Sequence, residues 1–167
     1  VSVATVVLCP PLPGAPSSYD VLATADALLA SVAAVSAPEA PVPHPGDDER
    51  TVRAHWVAEV AMHLAVTGAQ GPLLLVLAGS AGELAPAVGF SQRASRRPVA
   101  GYVLVDAATP PMDGGVVDWP DAPVTYLASP AADPLQVNQA RLRGWVVTEL
   151  TDATKVAAAV AAVAAGS

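Results

Sequence analysis

Few residues in this chain have the chemistry to carry a reaction, and they are unevenly placed. The three histidines, His44, His55 and His63, all precede residue 64. His44 lies in a proline-rich loop after a strand and can overhang a cleft as a base, whereas His55 and His63 fall on a helix and suit packed or surface roles. Cys9 is the single cysteine; a lone thiol at a strand end is a nucleophile or, more commonly, a small buried hydrophobe. Asp106 closes the run Tyr102–Val105, and Asp113 and Asp118 follow it. Carboxylates gathered at one edge can exchange protons or hold a metal, yet no regular metal-ligand spacing joins them, and no metal or cofactor is expected. Ser80 stands in the tight turn Gly79-Ser80-Ala81-Gly82, directly after the most apolar run in the chain. Trp119 and Tyr126 can line an apolar pocket, although Tyr126 serves equally well as core.

The elements that must position these residues are legible as alternating periodicities. Val3–Leu8 is a β-branched run ended by Cys9-Pro10-Pro11, which reads as a buried strand. Val21, Leu22, Ala25, Leu28 and Leu29 recur at helical spacing from Ser18 onward. Val32–Ser36 forms a second short strand before the proline-rich loop from Ala37 to Gly46. Asp47 and Asp48 suit the N-terminus of the longest helix, which carries Val52, Trp56, Val60 and Leu64 and ends near Gly68. Leu73–Ala78, Tyr102–Val105, Val124–Ala128 and Trp145–Thr148 complete six strands. A helix follows Gly82, a short one lies between Pro130 and Arg143, and Thr151-Asp152 caps a last one over Ala153–Ala164. Strands alternating with helices imply right-handed crossovers and a three-layer, doubly wound parallel sheet. Several strands run at their C-terminal ends into prolines, at Pro10, Pro38, Pro110 and Pro130, so the edge where such sheets bind ligands is stiff and poor in donors.

Length and composition bound the rest. A chain of 167 residues with 53% hydrophobic and 14% charged residues fits one domain, 1–167, with an extensively buried core. The formal net charge of -7 disfavours nucleic acid and anionic lipid. The apolar stretch from Val156 to Ala165 reaches about half the length of a membrane span. A cytoplasmic protein without a disulfide is the expectation.

The segment Leu75-Val76-Leu77-Ala78-Gly79-Ser80-Ala81-Gly82 resembles the nucleophile elbow of the α/β-hydrolase family, with alanine in place of the first glycine. Ser80 matches the nucleophile; a second register places Ala81 there instead. Val3–Gly14 resembles the family's third strand and oxyanion loop, and Val32–Gly46 its fourth strand with the segment that follows. Pro123–Pro134 resembles the seventh strand and acid loop, which implies Asp133 as the triad acid. The family's first two strands have no counterpart, and the short segment before Pro123 leaves no room for a lid, so the layout implied is a minimal, lidless α/β-hydrolase fold.

The resemblance also exposes two departures. The family's histidine follows its last strand, and no histidine occurs after Gly82; the corresponding stretch is Glu149-Leu150-Thr151-Asp152. The first oxyanion donor is a backbone N–H just after the third strand, where Pro10 and Pro11 have none, leaving Cys9 or Leu12 only if the loop rearranges. The sequence therefore points to a degenerate triad in a protein that handles a small acyl, ester or peptide intermediate of a biosynthetic pathway, by binding or by isomerase- or cyclase-type chemistry. Two alternatives stand beside it. One is a weak esterase or thioesterase using Ser80, Asp133 and His44; the other is an inactive binding subunit acting as a homodimer or with a partner.

Overall fold

The computed structural model describes residues 2–16, 19–29, 34–112 and 118–166. Six strands, β1 (Thr5–Leu8), β2 (Val35–Ser36), β3 (Leu73–Ala78), β4 (Val99–Val105), β5 (Val124–Ala128) and β6 (Val146–Glu149), form one sheet in the order β2-β1-β3-β4-β5-β6. Every neighbouring pair is parallel. Among the described residues, four helices connect strands, α1 (Val21–Leu29), α2 (Glu49–Val66), α3 (Ala85–Ala94) and α4 (Pro134–Leu142), and a fifth, α5 (Val156–Gly166), follows β6.

Strict alternation along the strands divides the core into two layers. Val7, Leu73, Leu75, Leu77, Tyr102, Leu104 and Tyr126 face α2, α3 and α4, which contribute Trp56, Val60, Leu64, Val88 and Val137. Val6, Leu8, Leu74, Val76, Val103, Val105 and Leu127 face α1 and α5, which contribute Leu28, Val156 and Val160. Burial of all six residues of β3 follows from its central place between two helical layers. Each fully buried leucine there contributes about 1.5–3 kcal/mol of hydrophobic stabilisation. The doubly wound, three-layer architecture read from the sequence is the one observed.

Element boundaries differ in informative ways. β3 and β5 coincide with their apolar runs. β1 begins at Thr5 rather than Val3, and β4 begins at Val99 rather than Tyr102, because Val99 pairs with Leu73 across a register shift. The observed part of the second strand is Val35–Ser36; residues 30–33 and residues 17–18, where the first helix was expected to start, lie outside the described set. A 3₁₀ segment, Gly79–Leu84, precedes α3, and another, Ala153–Lys155, precedes α5. Asp48 caps α2 by accepting the Thr51 N–H at 2.7 Å, and Asp152 accepts from Thr154 at the start of the last helical stretch.

Helix α3 sits close to the sheet because Gly89 faces Tyr102. A Cβ at Gly89 would lie 1.9 Å from the Tyr102 hydroxyl and 3.0 Å from its Cζ. That hydroxyl donates to Asp121 at 2.7 Å, and Asp121 in turn holds Arg93 at 3.3 Å. Gly89→Ala is therefore expected to destabilise the fold by about 1–3 kcal/mol through overpacking, seen as a Tm lowered by roughly 2–4 °C per kcal/mol. Combined with Tyr102→Phe, which removes the clashing oxygen, the two losses should sum to less than their separate values; strict additivity in thermal denaturation would refute the clash.

Candidate functional site

The strand order reverses direction between β1 and β3, since β1 leads outward to β2 and β3 leads the other way through β4, β5 and β6. In open α/β sheets the crevice at such a switch point, outside the strand C-termini, is where ligands bind. Here the elements at that point are the loop after β1, from Cys9, and the turn after β3, from Gly79.

Gly79 carries the sharp bend of that turn, with φ at 55°. A residue with a side chain would pay roughly 1–2 kcal/mol to sit there. Ser80 follows within the 3₁₀ segment, is half-buried, and makes no hydrogen bond through its hydroxyl to a described residue. Ala81 is fully buried, its methyl part of the core beneath α2 and α3. The turn is fastened to the loop leaving β4: the Ala108 N–H donates to the Gly79 carbonyl at 2.9 Å. A Cβ at Gly82 would lie 2.4 Å from the Ala108 carbonyl oxygen, so only glycine permits this approach. On the other side Glu83 accepts from Arg53 of α2 at 2.6 Å, and Glu49 pairs with the same guanidinium at 3.0 Å. The hydrogen bond to Glu83 raises the Arg53 pKa.

Asp106 ends β4 in a left-handed conformation, φ 44°. Both its oxygens turn to Ser129 at the end of β5: Oδ1 accepts the Ser129 N–H at 2.7 Å and Oδ2 accepts the Ser129 Oγ–H at 2.6 Å. Tyr126 donates to the Ala107 carbonyl at 2.8 Å, and its phenol pKa is raised by burial first and by the Asp106 charge second. Gln136 of α4 accepts from both the N–H and the hydroxyl of Thr109, at 2.8 and 2.9 Å. Ser129, Gln136 and Arg53 had no signal in the sequence, because nothing in spacing announces a partner that folding alone supplies.

The remaining candidates are dispersed. Asp133 is exposed and caps α4, accepting the Leu135 N–H at 2.9 Å. His44 is exposed; its N–H donates to Asp47 at 2.9 Å and its ring meets that of His55 edge-on at 6.3 Å. Neither makes a hydrogen bond or ion pair with Ser80. His63, near the end of α2, borders a cleft of about 450 Å³ at the opposite, N-terminal edge of the sheet. Trp119 packs edge-on between Tyr102, at 5.4 Å, and Trp145, at 5.6 Å, within the layer beneath α3 and α4. Leu12 is buried in that same layer. Asp118 is exposed with φ at 70°, and Asp113 lies outside the described residues. Among the described residues, no group of three or more His, Cys, Asp or Glu side chains is placed to hold a metal. No helix among them is long and apolar enough to cross a membrane.

This six-stranded parallel α/β architecture resembles that of solved α/β-hydrolase thioesterase and esterase domains. The Vlm2 thioesterase domain, solved with a bound dodecadepsipeptide, superposes with a TM-score of 0.56 at 11% identity, over 97% of this chain and 92% of that one. The NocB thioesterase domain, in covalent complex with a fluorophosphonate nocardicin G analog, gives 0.53 at 15% identity over 94% and 88%. Carboxyl esterase 2 from the mycorrhizal fungus Tuber melanosporum gives 0.52 at 13% identity over 88% and 67%. No protein-family model matches the sequence, and no curated protein matches it significantly.

Cys9 follows β1 directly and belongs to the core layer beneath α2 and α3. It is buried, its N–H donates to the Val76 carbonyl at 2.9 Å, and the N–H is thereby engaged in the sheet. Burial pushes its thiol from an ordinary value of 9.0 to about 12. An acid whose pKa is raised on folding contributes stability that is intact below its unfolded value and is lost as pH rises through the window between the two. Stability measured by urea denaturation should therefore fall between pH 9 and 12, with Cys9 contributing up to about 1.4 kcal/mol per pH unit. Cys9→Ala should make that fall shallower, leaving the part that the buried phenols Tyr19, Tyr102 and Tyr126 contribute; an unchanged slope would show that the thiol is not held neutral.

Proposed function

We propose that this protein binds a small acyl, ester or peptide intermediate at the C-terminal edge of its sheet and handles it without hydrolysis, by retention or by isomerase- or cyclase-type chemistry. The observation that carries the reading is the isolation of Ser80. Its hydroxyl meets no base among the described residues, and the acids along that edge are occupied, Glu83 by Arg53, Asp106 by Ser129 and Asp133 by the N-terminus of α4. The turn itself supports the same conclusion. In the nucleophile elbow the serine sits on the strained residue between strand and helix; here that left-handed residue is Gly79, which has no side chain to raise. The first oxyanion donor is weakened as well, because Pro10 and Pro11 lack N–H groups and that of Cys9 is bonded to Val76. Removing one such donor costs about two to three powers of ten in turnover. Thioesterase domains of like fold hold a depsipeptide and a nocardicin analog, which favours peptidyl or acyl ligands over other classes.

The test is incubation with a fluorophosphonate and with an N-acylcysteamine thioester, read by intact mass and thiol release. Expected are no adduct on Ser80, thiol release at the background rate, and saturable binding of the thioester by calorimetry. Labelling or turnover abolished by Ser80→Ala would instead establish the esterase reading and direct the search to an unconventional base, with His44→Ala as the next variant.

A further inference from the structure

The reading above leaves open where the ligand lies and what part of it is recognised. A cleft of about 410 Å³ runs between α4 and the C-terminal ends of β5 and β6. That volume lies within the range of about 300–1,000 Å³ typical of small-molecule sites. Its walls are mixed in character, with Ala128, Pro134, Val137 and Leu150 on the apolar side and Ser129, Asn138, Arg141 and Glu149 on the polar side. Pro134, Val137, Asn138 and Arg141 recur at the spacing of one helix face, so α4 presents a single strip to the cleft.

The charges on that strip are asymmetric in what they have already found. The N-terminus of α4, otherwise an anion site, is filled by the carboxylate of Asp133. Arg143, two residues beyond Arg141, donates to the Pro110 carbonyl at 2.6 Å and stacks on Trp145 at 5.0 Å. Arg141 is the cation that lines the cleft, and it is held by Glu149 at 2.5 Å, with both side chains at least half exposed. An exposed pair of this kind is weak, because water screens both charges. A planar guanidinium in water exchanges one carboxylate for another at little cost, and apolar walls beside it add the difference.

The geometry points to this cleft as a binding site for a small carboxylate with an amide-bearing apolar body, such as an N-acyl amino acid or a peptide acid, in which the ligand's carboxylate displaces Glu149 from Arg141. Asn138, one turn before Arg141, offers an amide to the ligand's own amide. Glu149 is then an internal competitor for the guanidinium until the ligand arrives. This assignment rests on the ligand-handling role proposed above and names its ligand class.

Calorimetric titration with N-hexanoylglycine and with its methyl ester tests it, on the whole chain. Wild type should bind the acid more tightly than the ester. Glu149→Gln, by removing the competitor, should tighten the acid about two- to fivefold and leave the ester unchanged, while Arg141→Gln should erase the acid's advantage. Both residues are exposed, so folding is preserved in either variant and the thermal transition verifies it. Acid binding indifferent to Arg141→Gln, or loosened by Glu149→Gln, would overturn the assignment while leaving the ligand-handling role standing. Failure of wild type to bind the acid, the ester and the N-acylcysteamine thioester alike would overturn that role and the cleft with it.

Discussion

The contact between the turn after β3 and the loop after β4 organises the C-terminal edge of this sheet. It consists of one hydrogen bond, Ala108 to the Gly79 carbonyl, and one close approach, Gly82 against Ala107 and Ala108. Both glycines are required, the first for its left-handed bend and the second because a Cβ has no space. From that contact the loop 106–110 is held at successive points by Ser129, Tyr126, Gln136 and Arg143. The ends of three strands and helix α4 are thereby one connected unit. In such a unit a carboxylate is oriented by its neighbours' needs, and Asp106 is turned to β5 by two bonds from a single residue.

What the sequence reveals about this arrangement divides along physical lines. β3 and β5 are fully legible, because continuous apolar runs bounded by glycine or proline leave no alternative to a buried parallel strand. The ends of β1 and β4 are less so, since pairing across the sheet decides where a ladder starts. Ser80 is legible as part of a turn, but the residue that takes positive φ depends on how the turn meets Ala108. Asp133 precedes Pro134, and its capping of α4 is an ordinary consequence of that spacing. Trp119 shows the opposite limit: a loop residue by sequence, it stands between Tyr102 and Trp145, packed against the core layer that α3 and α4 cover. Burial of a side chain from an irregular segment has no period to betray it.

The frame and the site also answer to different constraints, which explains a shared fold at 11–15% identity. The frame needs only alternation on the strands, apolar stripes on the helices and small residues at close approaches, and many sequences satisfy those needs. A reactive serine needs a base in hydrogen-bond reach, a third group to orient that base, and donors aimed at the developing charge. Loss of any of these leaves the frame intact, so architecture alone says little about chemistry. In this chain the strap of Arg53 with Glu83 and Glu49 and the clasp of Asp106 with Ser129 are charge-assisted bonds that hold the edge in shape. Groups bound so closely to one another commit their hydrogen-bonding capacity to the frame rather than to a ligand.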